Sequence, residues 1–234
     1  MSEELGQMQP RAALDRDLTH LKEELIRLGD QVNSALAQAM TALKERDTVL
    51  AEKVIEGDQK INTGRYEIEE KSLSIIATQQ PAASDLRAIV AVMNMVSDLE
   101  RMGDHASGIA TLVTRMEDLA GLEMPTGLSI MSKMAQDMLQ AALDAYAEGD
   151  EQAAYTIAGM DDKIDTTYKT LFRNLVEVIV QKPDSTSIAL YYLFAGHNLE
   201  RIADRVTNLA ERVIFLGSGQ VQELNPEPDE TGFN

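Results

Sequence analysis

The segment DLERMGDHASGIATLV, which begins at Asp98, is written again as NLERIADRVTNLAERV from Asn198, one hundred residues later. A helical segment repeated at the separation of a small domain constrains the chain to fold as two related units. The repetition reaches further than these letters. DQKIN at 58–62 is answered by DDKID at 161–165, Pro81 by Pro183, and Glu100 with Asp104 by Glu200 with Asp204, at offsets of 103, 102 and 100. Small loop deletions after duplication of an ancestral unit account for the drift. Helix-hairpin arrays with a period of about 34 residues fit two copies of about 100 poorly.

Helical periodicity dominates and predicts six long helices, at about 11–45, 48–79, 83–118, 126–147, 150–181 and 185–216. In the first, Leu14, Leu18, Leu21, Leu25, Leu28, Val32 and Leu36 recur at three- and four-residue spacing. Pro81 and Pro183 close two of the turns, because proline disfavours helical geometry in the residue before it, and Ser84 or Asp85 is positioned to cap the helix after Pro81. Apolar types make up 44% of the chain but aromatics only 4%, with 12 methionines, which suits packed helices better than half-buried strands. The expected fold is all-α: two tandem pseudo-symmetric three-helix bundles, 11–118 and 126–217, followed by an acidic, proline-bearing tail over 218–234 expected to be disordered.

At 100° per residue Leu86, Ile89, Met93, Val96, Asp104, Ser107 and Thr111 fall within about 40° of Glu100, so two carboxylates sit on an apolar stripe. Ala189, Leu193, Gly196, Glu200, Asp204 and Thr207 repeat the arrangement. A second stripe, Val92, Met95, Leu99, Ala106, Ala110 and Val113, is copied as Tyr192, Ala195, Leu199, Val206, Ala210 and Val213, so each helix has partners on two sides. Folding helix two back on helix three about residue 82 brings Asp58 and Asn62 alongside Asp104 and Glu100. The same reflection near residue 184 brings Asp161 and Asp165 alongside Asp204 and Glu200.

Such gathering is costly, since an uncompensated buried carboxylate loses several kcal/mol of hydration and its neighbours repel it. Protonation, a basic partner (Lys60, Lys163, Arg101 and Arg201 are nearby in sequence) or a bound cation can each compensate. A single E-x-x-x-D on a helix is ordinarily an exposed acidic pair; its duplication on an apolar stripe favours the cation. Oxygen ligands with few nitrogens suit Mg²⁺, Ca²⁺, Mn²⁺ or iron and disfavour Zn²⁺ and Cu. The absence of cysteine removes thiolate sites and disulfides. Of the three histidines, His105 is matched by Arg205 and is no necessary ligand, His197 is read as covering the core with an outer-ligand role as the alternative, and His20 is expected at the surface.

The net charge of −18, from 39 acidic and 21 basic residues, argues against nucleic-acid binding. No basic-then-apolar leader opens the sequence and no apolar run approaches the roughly 18 residues of a membrane span, so a cytoplasmic, soluble protein is expected.

At these residues the sequence resembles the PhoU family of bacterial phosphate-uptake regulators. AVMNMVSDLERMGDHASGIA and FAGHNLERIADRVTNLAERVIF resemble its paired signatures, VIEGDQKIN and MDDKID its acidic segment, and QPAASDLRAI its proline turn. The resemblance covers about residues 15–217. It implies multinuclear clusters of iron, Mn or Mg held by Glu100, Asp104, Asp58 and Asn62 in one half and by Glu200, Asp204, Asp161 and Asp165 in the other. It further implies a non-enzymatic homodimer that represses phosphate uptake and the phosphate-starvation response by contacting the ATPase subunit of the phosphate ABC transporter and a sensor histidine kinase, reaching the membrane only through them. Asn62 replaces an acid and Ala203 the signature glycine. A carboxylate-bridged metalloenzyme is a rival reading, but no histidine lies three residues after Glu100 or Glu200, unlike ferritin-like di-iron bundles. A metal-free helical scaffold is the other.

Overall fold

The computed structural model describes residues 2–116, 122–220 and 222–224, with side chains from Arg11 onward. Its helices are α1 (Ser2–Glu45), α2 (Thr48–Gln79), α3 (Ser84–Arg115), α4 (Thr126–Glu148), α5 (Glu151–Ala158), α6 (Asp161–Gln181) and α7 (Thr186–Ser218), with a 3-10 turn at Pro183–Ser185. α1, α2 and α3 form one bundle; α4, the α5–α6 pair and α7 form the second; α3 and α7 pack on each other between them. The two-bundle architecture matches the prediction. The fifth predicted helix, however, is two. Met160 N–H donates to Ile157 O at 2.9 Å, ending α5 at Gly159, and α6 restarts with Asp161 and Asp162 in its first turn. Consecutive acids are favoured at the positive end of a helix, where the aligned peptide dipoles attract them.

Capping differs from expectation at one turn. Neither Ser84 nor Asp85 caps α3: the capping position is Ala83, with no side-chain bond, and Asp85 in the first turn instead accepts from Arg11 at 2.6 Å. Asp47 and Asp150 do cap, accepting from Leu50 N–H at 2.9 Å and Ala153 N–H at 3.0 Å. Replacing Asp150 with alanine should cost about 1 kcal/mol, read as a lower midpoint in urea unfolding.

The second stripe is buried throughout in both halves, whereas Leu86 on the first stripe is 40% exposed, because it lies beside the α2–α3 turn where the bundle ends. Of the tail expected to be disordered, 221 and 225–234 lie outside the described residues. Ser218 closes α7, Gln222 accepts from Tyr155 Oη–H at 3.0 Å, and Leu224 N–H donates to Glu211 at 2.9 Å while its side chain packs on the core.

The α3–α7 interface shows the duplication as geometry. Arg205 donates to Asp98 at 3.0 Å, and His105 Nδ1 lies 2.9 Å from Asn198 Oδ1. Residues 98 and 198, and 105 and 205, are counterparts, so the two contacts are one contact written twice across an antiparallel pseudo-two-fold axis. Asn208 adds a bond to Asp98 at 3.2 Å; its counterpart is Gly108, where a Cβ would sit 3.2 Å from Asn198 Oδ1.

Since Asn198 Oδ1 can only accept, His105 carries its proton on Nδ1. Burial pushes the His105 pKa down, with Arg205 and Arg201 adding to the shift and Asn198 and Asp104 opposing it. Its neutral form therefore supports the fold above the unfolded value of about 6.5, and that support is lost as pH falls through it. Urea midpoints measured from pH 7.5 down to 5.5 should fall less in His105→Gln than in wild type.

Candidate metal centres

In the first bundle the antiparallel α2–α3 hairpin places Asp58 against Asp104 and Glu100, as the reflection predicts. Burial first, then the charges of Asp104 and Glu100, raise the Asp58 carboxyl above the usual range. Asn62 Nδ2 donates to Asp58 Oδ2 at 3.0 Å, while Asp58 Oδ1 is buried and meets no donor. Gly103 lets the helices close here, since a Cβ on it would lie 3.0 Å from Ile61 and 3.3 Å from Asp58 Oδ1. Glu100 is already engaged: Arg65 donates to it at 3.0 Å and to Glu69 at 2.9 Å. Asp104 is exposed.

In the second bundle Asp161 opens α6 and is 1% exposed. Asp204 meets Glu200 and Asp165: burial raises its carboxyl first, Glu200 and Asp165 raise it further, and Arg201 and Arg205 oppose the shift. Arg201 pairs with Asp204 at 3.0 Å. His197 does not cover the core. It is 54% exposed, and its Nδ1 lies 3.0 Å from Glu200 Oε2. Tyr168, packed near His197, has its phenol pKa raised by burial and then by Glu200. His20 is exposed beside Glu24, as expected.

The two clusters are therefore unlike. Arg65 and Ser97 in the first correspond to Tyr168 and His197 in the second, so one has a guanidinium where the other has a phenol and an imidazole. Arg65 and Tyr168 are missing from the predicted sites, although the hairpin reflection that places Asp58 and Asn62 also sets Arg65 opposite Glu100. Lys60, Lys163 and Arg101 are not the partners that Arg65 and Arg201 are.

Among the described residues no three Asp, Glu or His side chains converge on one point as placed. The donor set nevertheless suits a hard cation. In the first bundle a buried carboxylate oxygen lacks a donor and its near neighbours are carboxylates, an arrangement a cation relieves. In the second the same acids are joined by a nitrogen donor, which transition metals accept more readily than Mg²⁺ does.

A family model described as the PhoU domain matches residues 25–113 and 128–213. The phosphate-specific transport system accessory protein PhoU homologue of Clostridium acetobutylicum is 35% identical over 92% of this chain and 99% of its own length. The homologue of the same description from Caulobacter vibrioides is 35% identical over 87% and 89%. Among solved structures, the phosphate transport system regulatory protein PhoU from Streptococcus pneumoniae superposes with a TM-score of 0.85 at 33% identity, covering 90% of this chain and all of that one. PhoU from Pseudomonas aeruginosa gives 0.84 at 36% identity, over 88% and 99%.

Proposed function

Because the chain belongs to the PhoU family, we propose that it is a regulatory accessory protein of a phosphate transport system, restraining phosphate uptake and the phosphate-starvation response through protein contacts and without catalysis. Its partners are the ATPase subunit of the phosphate ABC transporter and the cytoplasmic part of a sensor histidine kinase. Among the described residues no helix is long and apolar enough to cross a membrane, which agrees with a cytoplasmic protein that meets the membrane through these partners. We propose further that it works as a homodimer carrying iron, Mn or Mg, in clusters of more than one ion.

The observation that carries the metal reading is the buried Asp58 oxygen with no donor, on a carboxylate that feels the charges of Asp104 and Glu100. Asp58, Asn62, Glu100 and Asp104 would hold cations in the first bundle, and Asp161, Asp165, Glu200 and Asp204 in the second. A bound cation would supply positive charge that lets these acids stay ionised side by side. Arg65 holds Glu100 in place, and Arg201 does the same for Asp204. The same two ion pairs are what favours the second reading, a metal-free scaffold whose acids are neutralised by arginine. Pull-down of purified chain against the transporter's ATPase subunit and the kinase's cytoplasmic domain tests the regulatory role. Retention of either supports it, and failure to retain both, with and without added Mn²⁺, contradicts it.

A further inference from the structure

The second bundle exposes an apolar face that the first matches only in part. On α6, Phe172, Val176 and Val180 are 49, 39 and 76% exposed, and on α7 Leu190 and Phe194 are 41 and 55% exposed. Four-residue spacing puts the three α6 residues on one side of the helix. A Cβ on Gly196 would lie 2.9 Å from Leu171 and 3.1 Å from Tyr168, which fixes the antiparallel register of the α6–α7 hairpin. That register brings Phe172 level with Phe194 and Val176 level with Leu190, so the five residues make one continuous patch. Scattered apolar residues on a surface need no explanation, but a contiguous patch marks an interaction site.

Duplication accounts for only part of it, since Leu73 and Val90 in the first bundle are themselves 57 and 40% exposed. At the repeat offsets of 103 for α6 and 100 for α7, the counterparts are Glu69, Leu73, Ala77, Val90 and Asn94. Both phenylalanines stand where the first bundle has polar side chains, and Glu69 there is engaged by Arg65.

Charge identifies what covers the patch. Lys169 and Arg173 flank it toward the start of α6, with Glu177 toward the end and Asp184 in the 3-10 turn that follows. If two α6 helices lie antiparallel about an axis at Val176, Phe172 of each copy meets Val180 of the other. Arg173 is then level with Ile179, two residues from Glu177, and Lys169 is level with Pro183, next to Asp184. A two-fold interface must be complementary to itself in this way. With Lys182 counted, the face carries three positive and two negative side chains on a molecule of net charge −18, so the general repulsion between two copies is relieved here. We propose that the α6–α7 patch is where a second copy of this chain docks, with α6 antiparallel to its symmetry mate. The proposal rests on the homodimer reading above and not on metal binding.

Sedimentation velocity of the full chain at about 50 µM and 0.15 M salt tests it. Wild type should be a dimer, Val176→Glu a monomer with an unchanged helical circular dichroism spectrum, and Leu73→Glu, at the first-bundle counterpart, still a dimer. Arg173→Glu should raise the dissociation constant about tenfold, and Arg173→Glu with Glu177→Arg should restore it. A dimer that survives Val176→Glu overturns the patch and leaves the homodimer standing. A wild-type monomer overturns both. A wild-type monomer that loses the transporter's ATPase subunit on Val176→Glu assigns the patch to that partner and likewise overturns the proposal.

Discussion

Asp98→Ala will destabilise the fold by about 3 kcal/mol, because it strands a guanidinium in a largely buried interface. Asp98 and Arg205 are only 15% and 21% exposed, and Asn208 loses its acceptor with them. For a chain of this size that loss corresponds to a fall in melting temperature on the order of 6–12 °C. The pseudo-symmetry supplies a rescue. Asp98→Asn combined with Arg205→His writes the Asn198–His105 contact a second time, and should recover to within about 1 kcal/mol of wild type at pH 7.5, since neither partner is then left charged and alone. Urea unfolding of the three proteins measures both effects. A single variant as stable as wild type would mean that the two bundles are held together by the apolar contacts of α3 and α7 alone.

Asp58→Asn will act in opposite directions with and without metal. In chelator-treated protein it removes a carboxylate that burial and two neighbouring acids disfavour, so the melting temperature should rise. The sign agrees with linkage: a carboxyl whose folded pKa is raised costs stability as pH climbs from the ordinary Asp value through the raised one, and asparagine abolishes that cost. In metal-loaded protein the variant should lose the stabilisation a ligand gives the folded state, about 2.7 kcal/mol at one hundred times its dissociation constant. Melting curves with excess Mn²⁺ and with chelator check both. A variant less stable than wild type without metal, and equally stabilised by Mn²⁺, would remove Asp58 from the site.

Much of this arrangement was legible in the sequence for a simple reason. Antiparallel helices joined by a short proline turn have a fixed register, so counting back from residue 82 puts Asp58 beside Asp104 and Glu100. Depth was less legible than direction. A wheel places His197 about 60° from Glu200 but says nothing of how far the bundle extends there, and the ring expected to cover the core is half in solvent beside the Glu200 carboxylate. Leu86 is exposed for the same reason, at the end of its bundle.

The break between α5 and α6 had no unambiguous signal. α2 runs unbroken through Gly57 one residue before Asp58, whereas the second half stops at Gly159 two residues before Asp161. Glycine permits a break without requiring one. Proximity in sequence points to Lys60 and Arg101 as compensating charges, whereas the long side chain of Arg65 reaches Glu100 from the facing helix.

Elemental analysis of the purified chain beside its Glu100→Gln, Glu200→Gln double variant tests the carboxylate centres most directly. Both proteins are loaded with Mn²⁺ or Fe²⁺, desalted and checked for intact helical content. If the clusters hold cations, wild type retains metal through desalting and the folded double variant retains none. Equal metal in the two proteins would remove Glu100 and Glu200 from the ligands, and none in wild type would mean that Arg65 and Arg201 rather than cations make the crowding of these acids tolerable.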